Sequence, residues 1–172
     1  MRVAAGVVLL TLLAAVGAGT QPAPAKARPD FSGTWAFDQA KSAQPGPDGK
    51  VALAALLGDE CTARQDAVSL SLTIKAGALR VAAAYKLDGS ESRNMSPGPS
   101  GQLDIEVISR ASWQGDKLVI VSTSVSILEG QKVPIETRRV LWIDPGGNLI
   151  IERTGTPASE VPPSRSVYRK AR

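Results

Sequence analysis

The sequence predicts an all-β protein, an antiparallel up-and-down β-barrel of about eight to nine strands with one short helix. Three observations carry this. Apolar and polar residues alternate with period two over most of the chain, the pattern of strands with one buried face. Turn residues recur at hairpin spacing, as in Ala76-Gly77-Ala78, Gln114-Gly115-Asp116 and Asp144-Pro145-Gly146-Gly147. Only one stretch, Val51 to Leu57, has the apolar spacing of a helix.

The N-terminus is taken first. Arg2 precedes the uncharged run Val3 to Val16, which is too short to span a bilayer at ~20 residues. It reads as a secretory signal over residues 1–18. Cleavage after Ala18 fits Val16-Gly17-Ala18, and Ala23-Pro24-Ala25 offers a second site. The expected location is the periplasm or beyond, with no stable membrane anchor once the signal is removed. Residues 19–29 are rich in Ala and Pro and read as a flexible tether. Residues 30–172 form a single barrel domain, large enough to be stable without disulfides or metal.

Gly33–Phe37 and Glu60–Gln65 are expected as the opening strands. Between them, Val51, Leu53, Ala54, Leu56 and Leu57 predict a short helix ended by Gly58. Val68, Leu70, Leu72 and Ile74 alternate with Ser69, Ser71, Thr73 and Lys75, the cleanest strand in the chain. Leu79, Val81, Ala83 and Tyr85 continue on the next one. Ser90–Gly101 is polar and carries Pro97 and Pro99, so it reads as a loop, either at the barrel mouth or as a plain solvated connector. Strands follow at Leu103–Trp113, Lys117–Glu129, Val133–Ile143, Asn148–Thr154 and Arg165–Lys170. Leu118–Val121 is apolar throughout, which predicts cover on both faces.

Composition removes whole classes of chemistry. There is no histidine and only one cysteine among 172 residues. Ser/His/Asp and Cys/His catalysis, histidine-ligated metals and intrachain disulfides are therefore excluded. No Ser-x-x-Lys motif and no calcium loop is present, so no enzyme, no cofactor and no metal is predicted. The net charge of +4 is not clustered in a basic stripe, so no nucleic-acid partner is expected. Cys61 reads as a small buried hydrophobe. Asn94-Met95-Ser96 has the form of a glycosylation sequon.

Gly33-Thr34-Trp35 on the first strand, an antiparallel meander and an arginine near the end together resemble the lipocalin and calycin barrels. The resemblance implies that Gly33 and Trp35 close one end, with Arg169, or else Arg165, stacked on the indole. The Thr-Asp-Tyr motif and paired cysteines of strict lipocalins are absent. Pro29–Trp35, Tyr85–Ser92, Arg138–Leu141 and Tyr168–Lys170 are also similar to a group of small exported bacterial β-proteins of unassigned function. That resemblance implies fold and compartment.

Arg139 shares parity with Ile135, Leu141 and Ile143. If that face is interior, Arg139 needs a carboxylate or an anionic ligand such as a fatty acid. The other register puts Val140 and Trp142 inside and Arg139 in water. Tyr85 and Trp113, on the apolar parity of their strands, complete the ligand-binding candidates. Ser122, Ser124 and Ser126 form a hydroxyl row, either the lining of a polar cavity or, the reading preferred, the outer face of a strand. The function expected is non-catalytic binding of a small apolar or acidic ligand. The alternative is a filled barrel acting as an inhibitor or as the partner of an envelope protein.

Overall fold

The structure, a computed structural model, describes residues 27–42, 44–45, 51–52, 55–98, 100–128, 131–155 and 163–171. The expected signal segment, both expected cleavage sites and most of the expected tether lie outside them. Twelve strands are described: β1 (Gly33–Phe37), β2 (Gln44–Pro45), β3 (Val51–Ala52), β4 (Glu60–Gln65), β5 (Ser69–Ala76), β6 (Leu79–Lys86), β7 (Glu91–Pro97), β8 (Leu103–Gln114), β9 (Lys117–Leu128), β10 (Gln131–Ile143), β11 (Leu149–Gly155) and β12 (Ser164–Lys170). The one described helix is α1 (Gln39–Ser42).

Ten strands form one sheet in the order β6-β5-β4-β1-β12-β11-β10-β9-β8-β7, and β2 pairs only with β3. Every neighbouring pair in the large sheet is antiparallel. The up-and-down barrel is thus as expected, with one strand more than counted. The extra strand is β7, which corrects the loop expected there. Its polar character hid it, but Glu91 and Arg93 stand on its outer face and meet Arg110 and Glu106 of β8 at 2.8 and 2.9 Å. Pro97 sits at the strand's end, where the register shifts and a missing N–H costs least.

The ladder ends at β6 and β7, and side chains close the seam between them. Asn94 accepts from the Ala84 amide at 2.7 Å and donates to the Ala84 carbonyl at 3.1 Å. Ser92 Oγ accepts from the Lys86 amide at 2.9 Å. Asn94 is therefore committed to the fold, which argues against the sequon. Asn94→Ala is expected to cost only about 1 kcal/mol, the net worth of such bonds. It should also speed amide exchange at Ala84. Unchanged exchange there would show that other contacts hold the seam.

Among the described residues of Val51 to Leu57, the expected helix is not formed. Val51–Ala52 is a strand, and 55–58 is a turn closed by the Gly58 amide on the Ala55 carbonyl at 2.9 Å. The reason is competition for donors. The Leu56 amide is taken by Ser166 Oγ at 3.1 Å and the Leu57 amide by Tyr168 Oη at 2.7 Å, both on β12. Those donors bind the barrel rather than a helical carbonyl.

The apolar core fills one half of the barrel. Phe31, Trp35, Leu70, Leu118, Leu141 and Tyr168 are fully buried there. Cys61 is buried among them, and burial pushes its thiol pKa up to about 12, an inert state. Val119, Ile150 and Val167 are buried on the outer parity. Val119 thus has the outer cover that the apolar run 118–121 predicts. For Val167, α1 provides part of it: Ser42 Oγ accepts from the Val167 amide at 2.8 Å. Pro29, the end of the expected tether, already belongs to the fold, its carbonyl accepting from Gln65 Nε2 at 3.0 Å.

Candidate functional site

The closed end is built around Trp35, which is 2% exposed. Its Nε1 donates to the Phe31 carbonyl at 2.8 Å, so the indole is both packed and polar-satisfied. The cation on its ring is Lys170, with Nζ 5.5 Å from the centroid, and not Arg169. Register decides this. Trp35 lies directly opposite Lys170, whereas Arg169 lies opposite Ala36 and points outward. Arg165 is also on the outer parity, 3.9 Å from Glu152. Gly33 has φ +131°, and a Cβ there would stand 2.8 Å from Lys170 Cε, so glycine leaves room for the lysine to lie over the ring. Trp113 belongs to this end as well. It stacks on Phe31 at 5.8 Å, with Arg28 5.5 Å over its face. It does not line the cavity, contrary to its selection as a ligand contact.

The other half of the barrel is open space, a cavity of about 620 Å3. One wall is apolar, from Ile74 on β5, Val81 and Ala83 on β6, and Leu56 on the turn. The opposite wall is polar. It carries Ser122 and Ser124 of β9, Thr137 and Arg139 of β10, and Arg153 of β11. Ser122 and Ser124 of the serine row therefore face inward, not outward, while Ser126 borders the groove over β8, β9 and β10. Ser122 is 5% exposed and shares a 2.9 Å hydrogen bond with Ser109 of β8. A hydroxyl row looks the same in sequence whether it meets bulk water or a polar cavity, and parity alone does not separate the two.

Arg139 is in the inward register, with Leu141, and Trp142 is outside with Lys117 4.4 Å from its ring. Tyr85 also reaches the cavity. Its Oη accepts from Arg139 Nη2 at 3.0 Å, which aims the guanidinium across the barrel from β10 to β6. Among the described residues, no carboxylate lies within 4.0 Å of Arg139 or Arg153. The two arginines are directly opposite one another on adjacent strands. Burial first, and then the Arg139 charge, pull the Arg153 pKa below its ordinary value. The sequence puts Arg153 on the same parity as Leu149 and Ile151, which are buried. What it did not reveal was the cross-strand pairing of Arg139 with Arg153, which depends on the hairpin register.

Among the described residues, the side-chain hydrogen-bond partner of Ser122 is another hydroxyl, that of Ser109. Among the described residues, no group of three acidic, cysteine or histidine side chains converges as a metal site.

Comparison with known proteins addresses the architecture. A crystal structure of a point mutant of the fluorescent protein UnaG superimposes with a TM-score of 0.51 at 22% identity, covering 83% of this chain and 96% of that one. The apo structure of lipid binding protein 8 (LBP-8) of Caenorhabditis elegans gives 0.51 at 14% identity, covering 82% and 95%. The fold is a calycin-like barrel. No protein-family model and no curated protein matches the chain. At these identities the calycin-like likeness is one of fold, and the ligand has to be argued from the cavity itself.

Proposed function

We propose that this chain is an exported, non-catalytic binding protein that holds a small amphipathic acid inside its barrel. The observation that carries the reading is the inward Arg139, which borders a cavity and has no carboxylate partner among the described residues. A guanidinium that borders open space with no carboxylate beside it offers its remaining N–H donors to an anion entering that space. The volume of about 620 Å3 suits a single small ligand. Its division into an apolar and a polar wall suits an amphipathic one. One structural neighbour, LBP-8, is named for lipid binding. Export rests on Arg2 and the apolar run after it.

The alternative, docking of an envelope protein, has one observation in its favour. An outer groove of about 510 Å3 runs over β8, β9 and β10, with Ile108, Val125 and Lys132 along it. Native mass spectrometry of protein purified from its own envelope separates the two. The expected result is a chain lacking residues 1–18 with a small acid bound. A bound protein and an empty barrel would favour the groove, and an intact Met1 would overturn export.

A further inference from the structure

The nature of the acid can be taken further, on the reading that the cavity holds a ligand. Arg139 and Arg153 are cross-strand partners, and directly opposed like charges destabilise a sheet. One negative charge would neutralise one guanidinium and leave the other uncompensated. Two orphan polar atoms mark the same place. Arg153 Nε is buried with no hydrogen-bond partner, and so is Ser164 Oγ. Ser164 lies directly opposite Arg153 on β12. The two orphans are thus cross-strand neighbours on β11 and β12, beside Arg139 on β10. Tyr85 takes only one N–H of Arg139.

We propose that Arg139, Arg153 and Ser164 form a clamp for a doubly charged phosphate monoester head, on an amphiphile whose chain lies along Ile74, Val81 and Ala83. Charge and donor count both favour this head over a carboxylate. A phosphate monoester brings up to two negative charges and three acceptor oxygens. Guanidinium forks fit phosphate edges in a bidentate manner, and such charge-assisted bonds are about twice as strong as neutral ones. Ser164 Oγ can supply a further donor to the third oxygen. The hydroxyls of Ser122, Ser124 and Thr137 continue the polar wall beside it.

The test is calorimetric titration of the full mature chain with dodecyl phosphate, dodecyl sulfate, dodecanoate, dodecanol and inorganic phosphate. At pH 8 dodecyl phosphate is expected to bind about tenfold or more tightly than dodecanoate, and far more tightly than inorganic phosphate. Its affinity should rise between pH 5 and 8, as the head gains its second charge near ~6. Dodecyl sulfate, with one charge throughout, should stay flat. Among the described residues, the charged or titratable groups at the proposed site are Arg139 of β10, Arg153 of β11 and Tyr85 of β6; β9 and β12 contribute serines. None of these residue types changes charge over that range.

Arg153→Leu should abolish the preference for phosphate over carboxylate, and Arg153→Lys should retain part of it. Arg153→Lys also serves if the leucine variant fails to fold. Equal affinity for dodecanoate and dodecyl phosphate would overturn the clamp and leave the carrier standing. So would a pH-independent phosphate affinity, or inorganic phosphate binding as tightly as the amphiphile. Failure of all the amphiphiles, dodecanol included, to bind would overturn both.

Discussion

Trp35→Ala is expected to destabilise the domain by about 3–5 kcal/mol, the cost of deleting a buried tryptophan. Domains of this size have about 5–15 kcal/mol of stability in all, so the variant should populate unfolded chain under mild conditions. The side chain is nearly inaccessible, and its Nε1 closes a 2.8 Å bond on the Phe31 carbonyl. Removal leaves that carbonyl buried without its donor, which adds to the cavity cost. Lys170 loses the ring face it covers, a smaller loss because its head is exposed. The measurement is urea unfolding followed by circular dichroism. A loss below about 1 kcal/mol would mean that the barrel end closes without the indole.

This end of the molecule shows how far the sequence is legible. That Gly33 and Trp35 close one end beneath a cation from the last strand can be expected from their resemblance to the calycin barrels. Which cation lies on the ring cannot, because Lys170 and Arg169 differ by one residue and only the β1–β12 register chooses between them. Parity similarly groups Arg139 with Ile135, Leu141 and Ile143, but which face is interior and which residue stands opposite depend on the hairpin register with Arg153, outside any one strand.

The misread segments have a common cause. β7 lacks an apolar face because its inward residues, Ser92, Asn94 and Ser96, serve the seam and the cavity. Ser122 and Ser124 break apolar alternation for the same reason. A cavity wall is polar where a core wall would be aliphatic, so pattern reading mistakes it for solvent-facing surface or loop. Val51 to Leu57 failed differently. Its helical spacing is real, but Ser166 and Tyr168 capture its amides, a long-range contact that no local propensity reports.

Gly58→Ala is expected to cost about 2–5 kcal/mol and to deform the cavity rim as well. Gly58 has φ +68°, a left-handed conformation that costs a residue with a Cβ about 1–2 kcal/mol. A Cβ there would also collide with the Lys75 carbonyl oxygen, and it would lie 3.1 Å from Ile74 Cγ2. The carbonyl belongs to β5 and already accepts from the Asp59 amide at 2.7 Å, so it cannot move aside freely. Relief of such overpacking typically costs a further 1–3 kcal/mol or so. The turn itself is held by Tyr168 Oη, which donates to the Gly58 carbonyl at 3.0 Å while accepting from Leu57. Displacing Gly58 therefore strains both bonds of a buried phenol and shifts Leu56, which lines the cavity beside Ile74. Stability and ligand affinity should fall together, whereas Asn94→Ala should touch stability only slightly. Thermal unfolding and dodecyl phosphate titration of the same Gly58→Ala sample would check this. A variant as stable as the native chain would show that the 55–58 turn relaxes without cost to β5.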